Sequence, residues 1–265
     1  LVDKKFDEST GSHGNWLSTY HHLQTYFKGN DYSLEQIDEN VLEGFKEYLF
    51  TNIKKRGVGK LNQNSALSYF NKVKAALREA YFKKYIKENP ANRVKGIKEQ
   101  ETHRQFVTLE ELTQLFKTPC DNQLLKKAFL FSALTGLRWS DVKQLTWNHF
   151  RYNEKEGWSI AYTQKKTKAA ETMPISEQAV KILGERNKQQ EETLYKNLNY
   201  HTWMNDQLQT WVTAAGINKK ITFHCARHSF ATLQLSLDTD IYTVSKLLGH
   251  KNLKTTQVYA KVLDK

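Results

Sequence analysis

Apolar residues recur at three- and four-residue intervals through the first hundred positions of the chain. Trp16, Tyr20, Leu23 and Phe27 follow that spacing, as do Ile37, Val41, Phe45 and Leu49, and Tyr69, Val73, Leu77 and Tyr81. Such intervals bring side chains to one face of a helix, so each set predicts a helix with a core-facing stripe. Asn64 or Ser65 can cap the third helix, which is expected to run to about Lys87. Asn89-Pro90 stops it, because proline has no amide proton and disfavours helix in the residue before it. Pro90 to Arg104 then reads as a polar, basic linker.

A second unit opens at Thr108-Leu-Glu-Glu, where a hydroxyl at the cap and Glu111 three residues on make a capping box. Helical patterning follows to the end, with one exception. Trp158 to Gln164 and Glu171 to Ile175 are β-type runs around the polar turn Lys165 to Ala170, which predicts a small hairpin or sheet. The expected fold is mainly α. It has a helical domain over 1–89, a linker over 90–107 and, over 108–265, a mostly α domain with a small antiparallel β-sheet or hairpin.

Composition narrows the class. The length of 265 residues suits one large domain or two ordinary ones. A hydrophobic content of 39% against 26% charged argues against disorder, and no run of apolar residues is long enough to span a bilayer. The opening LVDKKFDEST lacks the features of a secretory signal, and Cys120 and Cys225 are too few for a disulfide framework or a zinc knuckle. A reducing cytosol is therefore the expected setting. Forty Lys and Arg against 28 Asp and Glu leave a net charge of +12, which favours a polyanionic partner. The basicity is concentrated: residues 52–104 hold 14 basic and 4 acidic residues, whereas 1–51 hold 4 and 9.

Four places carry candidate chemistry. In Thr135-Gly-Leu-Arg138-Trp-Ser-Asp141, an arginine follows an apolar run and a glycine, and its planar fork of donors suits phosphate while Asp141 can hold the fork. Lys165-Lys166-Thr-Lys168 lies at the hairpin turn, where a lysine can reach a bound backbone or, with a lowered pKa, act as a general acid. His224 and Arg227 share a helix face and can converge on one anion. His224 and His228 have the spacing of a zinc helix, but Cys-Ala-Arg between them supplies a cation and no Glu base, so zinc is disfavoured. The fourth is Leu247-Leu-Gly249-His250, followed by a short helix carrying Tyr259, with Gly249 ending one helix and Thr255 or Thr256 starting the next. Gly57-Val-Gly59-Lys60 lacks phosphate-loop spacing and is set aside. Tyr69, Phe70, Tyr81 and Phe82 are expected to pack the core rather than stack on bases.

Together these residues form a kit for attacking a phosphodiester without a metal, and no acidic cluster suited to Mg²⁺ accompanies them. At this point the sequence resembles the tyrosine recombinases, or phage integrases. The resemblance rests on TGLRWSD around Arg138, Lys166 eight residues before Pro174, HCARHSFAT from His224, and LLGHKNLKTTQVYAK with His250 nine residues before Tyr259. It covers roughly Thr108 to Lys261, with residues 1–104 matching in style alone, and the wording of the motifs is similar to integrases of conjugative transposons and related mobile elements.

The resemblance implies that Tyr259 attacks the scissile phosphate and becomes joined to a DNA 3′ end, with neither ATP nor cofactor required. Arg138 and Arg227 would donate to the non-bridging oxygens, Lys166 would protonate the departing 5′ oxygen, His224 would assist proton transfer at the tyrosine and His250 would donate to the phosphate. Asp141 would position Arg138. Two domains would clamp duplex DNA, with Lys54, Lys55, Arg56, Lys60, Lys72, Lys74, Arg78, Lys83, Lys84, Lys165 and Lys168 as candidate phosphate contacts. The implied partners are DNA attachment or core sites, further copies of the chain in a synaptic tetramer, and DNA-bending or excision factors, in a bacterial cytosol with no membrane. The start at Leu1 and the six residues after Tyr259 suggest a piece of a longer protein, without an arm-binding domain and with a short or truncated tail. Two rivals are a type IB topoisomerase, which would rejoin the original strand without synapsis, and an inactive DNA-binding regulator.

Overall fold

The computed structural model describes residues 13–51, 60–102, 104–165, 169–186, 191–199 and 201–263. The chain forms two compact units, residues 1–102 and 103–265.

In the first unit, α1 (His13–Tyr26), α2 (Glu39–Thr51) and α3 (Gln63–Phe82) enclose a core of Leu42, Phe45 and Leu49 from α2 with Ala66, Phe70, Val73, Leu77 and Ala80 from α3. The buried stripe of α3 differs from the one expected. Spacings of four, three, four and three residues return to the same face of a helix, whereas repeated steps of four drift by about 40° each. Tyr69 is accordingly half-buried, and Tyr81 and Phe82 are exposed rather than core residues. Tyr20 in α1 is exposed as well.

The caps also shift. Asn62 Oδ1, rather than Asn64 or Ser65, accepts from the Ser65 amide at 2.7 Å and opens α3. The helix ends at Phe82, short of Lys87, because Lys84 turns left-handed (φ 58°) and the Tyr85 amide closes on the Ala80 carbonyl at 2.9 Å. That turn lets Ile86 enter the core, where Ala91, Val94 and Ile97 join it. The polar stretch after Pro90 is therefore packed against the first unit over much of its length. Asp38 Oδ1 accepts from the Val41 amide at 2.8 Å and starts α2.

The second unit is built around α5 (Gln123–Thr135), preceded by α4 (Leu109–Lys117). Thr108 and Glu111 form the expected box, with the Glu111 amide donating to Thr108 Oγ1 at 3.2 Å and the Thr108 amide to Glu111 Oε2 at 2.8 Å. Every residue of α5 from Ala128 to Ala133 is buried, as an apolar helix in the middle of a core must be. Phe129 meets Trp211 and Phe223 edge-on at 6.0 Å.

After the single turn α6 (Trp139–Val142) come β1 (Phe150–Asn153), β2 (Gly157–Thr163) and β3 (Ala170–Ile175). They form an antiparallel sheet in the order β1-β2-β3, pairing Phe150 with Ile160 and Ile160 with Met173. The hairpin is as expected, and β1 is an added edge strand. Then follow α7 (Glu177–Leu183), α8 (Thr202–Ala214), α9 (Phe223–Ser236), α10 (Ile241–Leu247) and α11 (Lys254–Leu263), with α9 packed against both α5 and α11. Among the described residues, no helix is long and apolar enough to cross a membrane.

The turn out of α5 permits only glycine. Gly136 has φ 71°, and a Cβ there would stand 2.5 Å from Phe230 Cδ1. Gly136→Ala is expected to cost about 1–3 kcal/mol in denaturant unfolding. Gly14→Ala, with open space around it, should leave the midpoint unchanged or slightly raised.

Candidate active site

Gly136 turns the chain so that Arg138 becomes the N-cap of α6 with extended backbone. Its guanidinium is mostly covered; Nη1 donates to Gln164 Oε1 at 3.1 Å and lies 4.0 Å from Asp141 Oδ2. Asp141 is fully buried, and its Oδ1 accepts from the Lys165 backbone amide at 2.9 Å. One carboxylate thus faces Arg138 and also fixes the end of β2 where the Lys165 to Ala170 turn begins. Lys165 is exposed there, while Lys166 and Lys168 lie outside the described residues.

Arg227 projects from α9 and is 4% exposed. Nη1 donates to the Gly136 carbonyl at 2.7 Å and Nη2 to the Leu248 carbonyl at 2.5 Å. Burial, followed by repulsion from Arg138, lowers its pKa to about 10, which leaves it charged at neutral pH. A guanidinium has more donors than those two bonds use, so it can hold both loops and still meet an anion.

Gly249 ends α10 with φ 58° and passes so close to Gln164 that a Cβ would overlap Gln164 Nε2. His250 follows, half-buried, with Nδ1 and the buried Thr256 hydroxyl 2.8 Å apart. Asn252 Oδ1 accepts from the Lys254 amide at 2.9 Å, so Asn252 rather than Thr255 or Thr256 caps α11. Tyr259, on α11, is 2% exposed. Its hydroxyl lies 2.8 Å from His228 Nδ1 and accepts from Arg104 Nη1 at 3.2 Å.

His224 is exposed on α9, its ring edge-on to that of His228 with centroids 4.5 Å apart. The imidazole at hydrogen-bond distance from the tyrosine hydroxyl is thus that of His228. The structure brings Arg138, Asp141, Arg227, His250 and Tyr259 into one neighbourhood and adds Arg104, Gln164 and His228, which sequence reading did not assign. A cue for His228 existed: it is one turn from His224 on the same helix face.

The candidate phosphate contacts divide. Lys54, Lys55 and Arg56 lie outside the described residues, and Lys60, Arg78 and Lys84 are exposed. Lys72 sits over the Trp16 ring at 4.8 Å, Lys74 reaches the Val94 carbonyl at 3.5 Å and Lys83 pairs with Glu79 at 2.8 Å.

Burial, then the positive neighbours around it, lowers the pKa of His228 to about 3, and burial followed by Arg227 and Arg138 lowers that of His250 to about 4. Both rings are therefore neutral at pH 7. In the unfolded chain they take up protons near pH 6.5 while the folded chain resists, so stability is lost as pH falls from about 6.5 towards 4. The calorimetric unfolding midpoint should drop between about pH 7 and pH 5, and drop less in His228→Asn/His250→Asn.

The Phage integrase family matches residues 105–265, and the Phage integrase SAM-like domain matches residues 1–100. The integrase of Escherichia phage P2 is 25% identical over 236 residues, 87% of this chain and 63% of that protein. The chain thus spans less than two thirds of that relative. The ICEBs1 integrase of Bacillus subtilis (strain 168) is 24% identical over 263 residues, covering 89% of this chain and 69% of that one. The fold matches a lambda integrase (75–356) dimer bound to a COC' core site, with a TM-score of 0.72 and 18% identity over 97% of this chain and 92% of that chain. It also matches XerH recombinase in a post-cleavage complex with palindromic difH, with a TM-score of 0.76 and 18% identity over 98% and 79% of the two chains. With both units matched in order and the tyrosine, arginine and histidine positions gathered in the second, the chain belongs to the phage integrase family.

Proposed function

We propose that this chain is a site-specific tyrosine recombinase that cuts and rejoins duplex DNA at core sites of a mobile element. The observation that supports this most strongly is the convergence of Arg138, Arg227, His228 and His250 around the neighbourhood of one buried tyrosine hydroxyl. Among the described residues, the buried carboxylate there is Asp141, which faces Arg138 and accepts from the Lys165 amide.

Phenol is a weak nucleophile at neutral pH because it holds its proton, and a phosphodiester gains charge on its non-bridging oxygens during attack. Arg138 and Arg227 stand ready to meet that charge without reorganising, since Gln164, Asp141 and two loop carbonyls already hold them. The Tyr259 oxygen forms a bond to phosphorus, the bond from phosphorus to the 5′ oxygen breaks, and that oxygen takes a proton from Lys166. The phenolic proton passes to solvent with the assistance of His224, which is exposed on α9. Attack by the 5′ hydroxyl of another strand reverses the same steps, so the phosphoester bond energy is conserved.

Lambda integrase is described as a dimer on a core site and as a tetramer on a Holliday junction, which supports a tetrameric synapse for this chain. Exposed Lys60, Arg78 and Lys84 supply phosphate contacts in the first unit. DNA binding should weaken with salt, with a log–log slope of about −0.9 per neutralised phosphate.

A nicked duplex carrying the element's core site, which loses a short 5′ fragment on cleavage, tests this reading. Wild type should accumulate a covalent adduct and Tyr259→Phe none, with binding retained by both. Arg138→Gln should slow adduct formation about 10²- to 10³-fold. Binding without any wild-type adduct would contradict recombinase chemistry. Relaxation of plasmids lacking a core site, with no strand exchange, would point to a topoisomerase.

A further inference from the structure

Arg104 and His228 both contact the hydroxyl of Tyr259, and neither belongs to the set of residues that the reaction was expected to need. Arg104 is anchored from behind. The Val107 amide donates to the buried Ser229 hydroxyl at 2.9 Å, and Ser229 in turn donates to the Cys225 carbonyl at 2.8 Å, so the segment from Arg104 to Val107 is laid along α9. From there Nη1 of Arg104 donates to the tyrosine oxygen at 3.2 Å while its Cζ stands 5.6 Å from the ring centroid. His228 reaches the same oxygen from the turn of α9 that also carries Arg227, with Nδ1 at 2.8 Å.

The donors and acceptors can be assigned. Arginine only donates, so the phenol oxygen accepts from Arg104, and its own proton is left to point at His228 Nδ1. That requires a neutral imidazole with its proton on Nε2, and burial among His224, Arg104, Arg227 and His250 keeps the ring uncharged over the working range of pH. The phenol is then fixed in position by two bonds made through its reacting atom.

We propose that Arg104 and His228 are positioning residues for the nucleophile: His228 aims the phenolic proton away from the attacking lone pair, and Arg104 favours negative charge on the oxygen as that proton departs, before the bond to phosphorus forms. This rests on Tyr259 being the nucleophile. Positioning of this kind acts on the chemical step and leaves DNA affinity alone.

The experiment measures adduct formation on the nicked core-site duplex at saturating DNA, with DNA affinity and the unfolding midpoint measured alongside. His228→Leu should slow adduct formation about 10- to 100-fold with affinity unchanged, and His228→Asn, whose amide oxygen replaces the Nδ1 acceptor, should restore most of that loss. Arg104→Gln should slow the same step about 10-fold and Arg104→Lys less. Wild-type rates in His228→Leu and Arg104→Gln would overturn the inference, as would equal losses in His228→Asn and His228→Leu that follow the unfolding midpoint. Should His228→Leu fail to fold, Arg104→Gln decides: this side chain is partly exposed, and an unchanged rate there contradicts the proposal. An absent wild-type adduct would instead remove the reading on which the inference stands.

Discussion

The guanidinium of Arg227 ties together the two loops that lead into Arg138 and His250. By donating to the carbonyls of Gly136 and Leu248 it spans the turn that precedes Arg138 and the turn that precedes His250. Burying such a charge is expensive unless its donors are used, and two loop carbonyls use them. Its neighbours follow from the same need. Gly136 is left-handed and has no room for a side chain against Phe230, and Gly249 passes directly over Gln164, the residue that holds Arg138.

That scaffold explains how a site can be strongly cationic without collapsing. Arg138, Arg227 and the imidazoles repel one another, and in the folded unit the imbalance is met by keeping His228 and His250 neutral rather than by adding carboxylates. Asp141 is the buried exception, and it serves two neighbours at once. A site held in this state has a deficit of negative charge that a phosphate can fill, which links packing of the second unit to the proposed recognition of DNA.

Much of this was legible in the sequence. Arg138, Arg227, His250 and Tyr259 stand in motifs with fixed neighbours, and Thr108 with Glu111 announced a helix by local chemistry alone. What was not legible depended on contacts distant in sequence. Arg104 lies in a stretch whose polarity suggested a linker, and its contact with the site becomes visible only when residue 259 is seen 3.2 Å away. Gln164 is an uncharged residue at the end of a β-type run. His228 looked like half of a poor zinc pair until α11 placed a hydroxyl against it. In the first unit, steps of four residues suggested Tyr81 as core, while the helix turns it out to solvent and buries Ala80 instead. The strand Phe150–Asn153 is short and buries only Phe150, which leaves it without an alternating pattern.

The central claim is that a single side chain, Tyr259, takes the phosphate. Peptide mass mapping of the covalent species formed on a nicked core-site duplex addresses it most directly, because the chain has 13 tyrosines and the adduct must choose among them. The account predicts one modified peptide, carrying a nucleotide joined through its 3′-phosphate to Tyr259. Modification of a different residue, or stable binding to the core site with no covalent species at all, would contradict it.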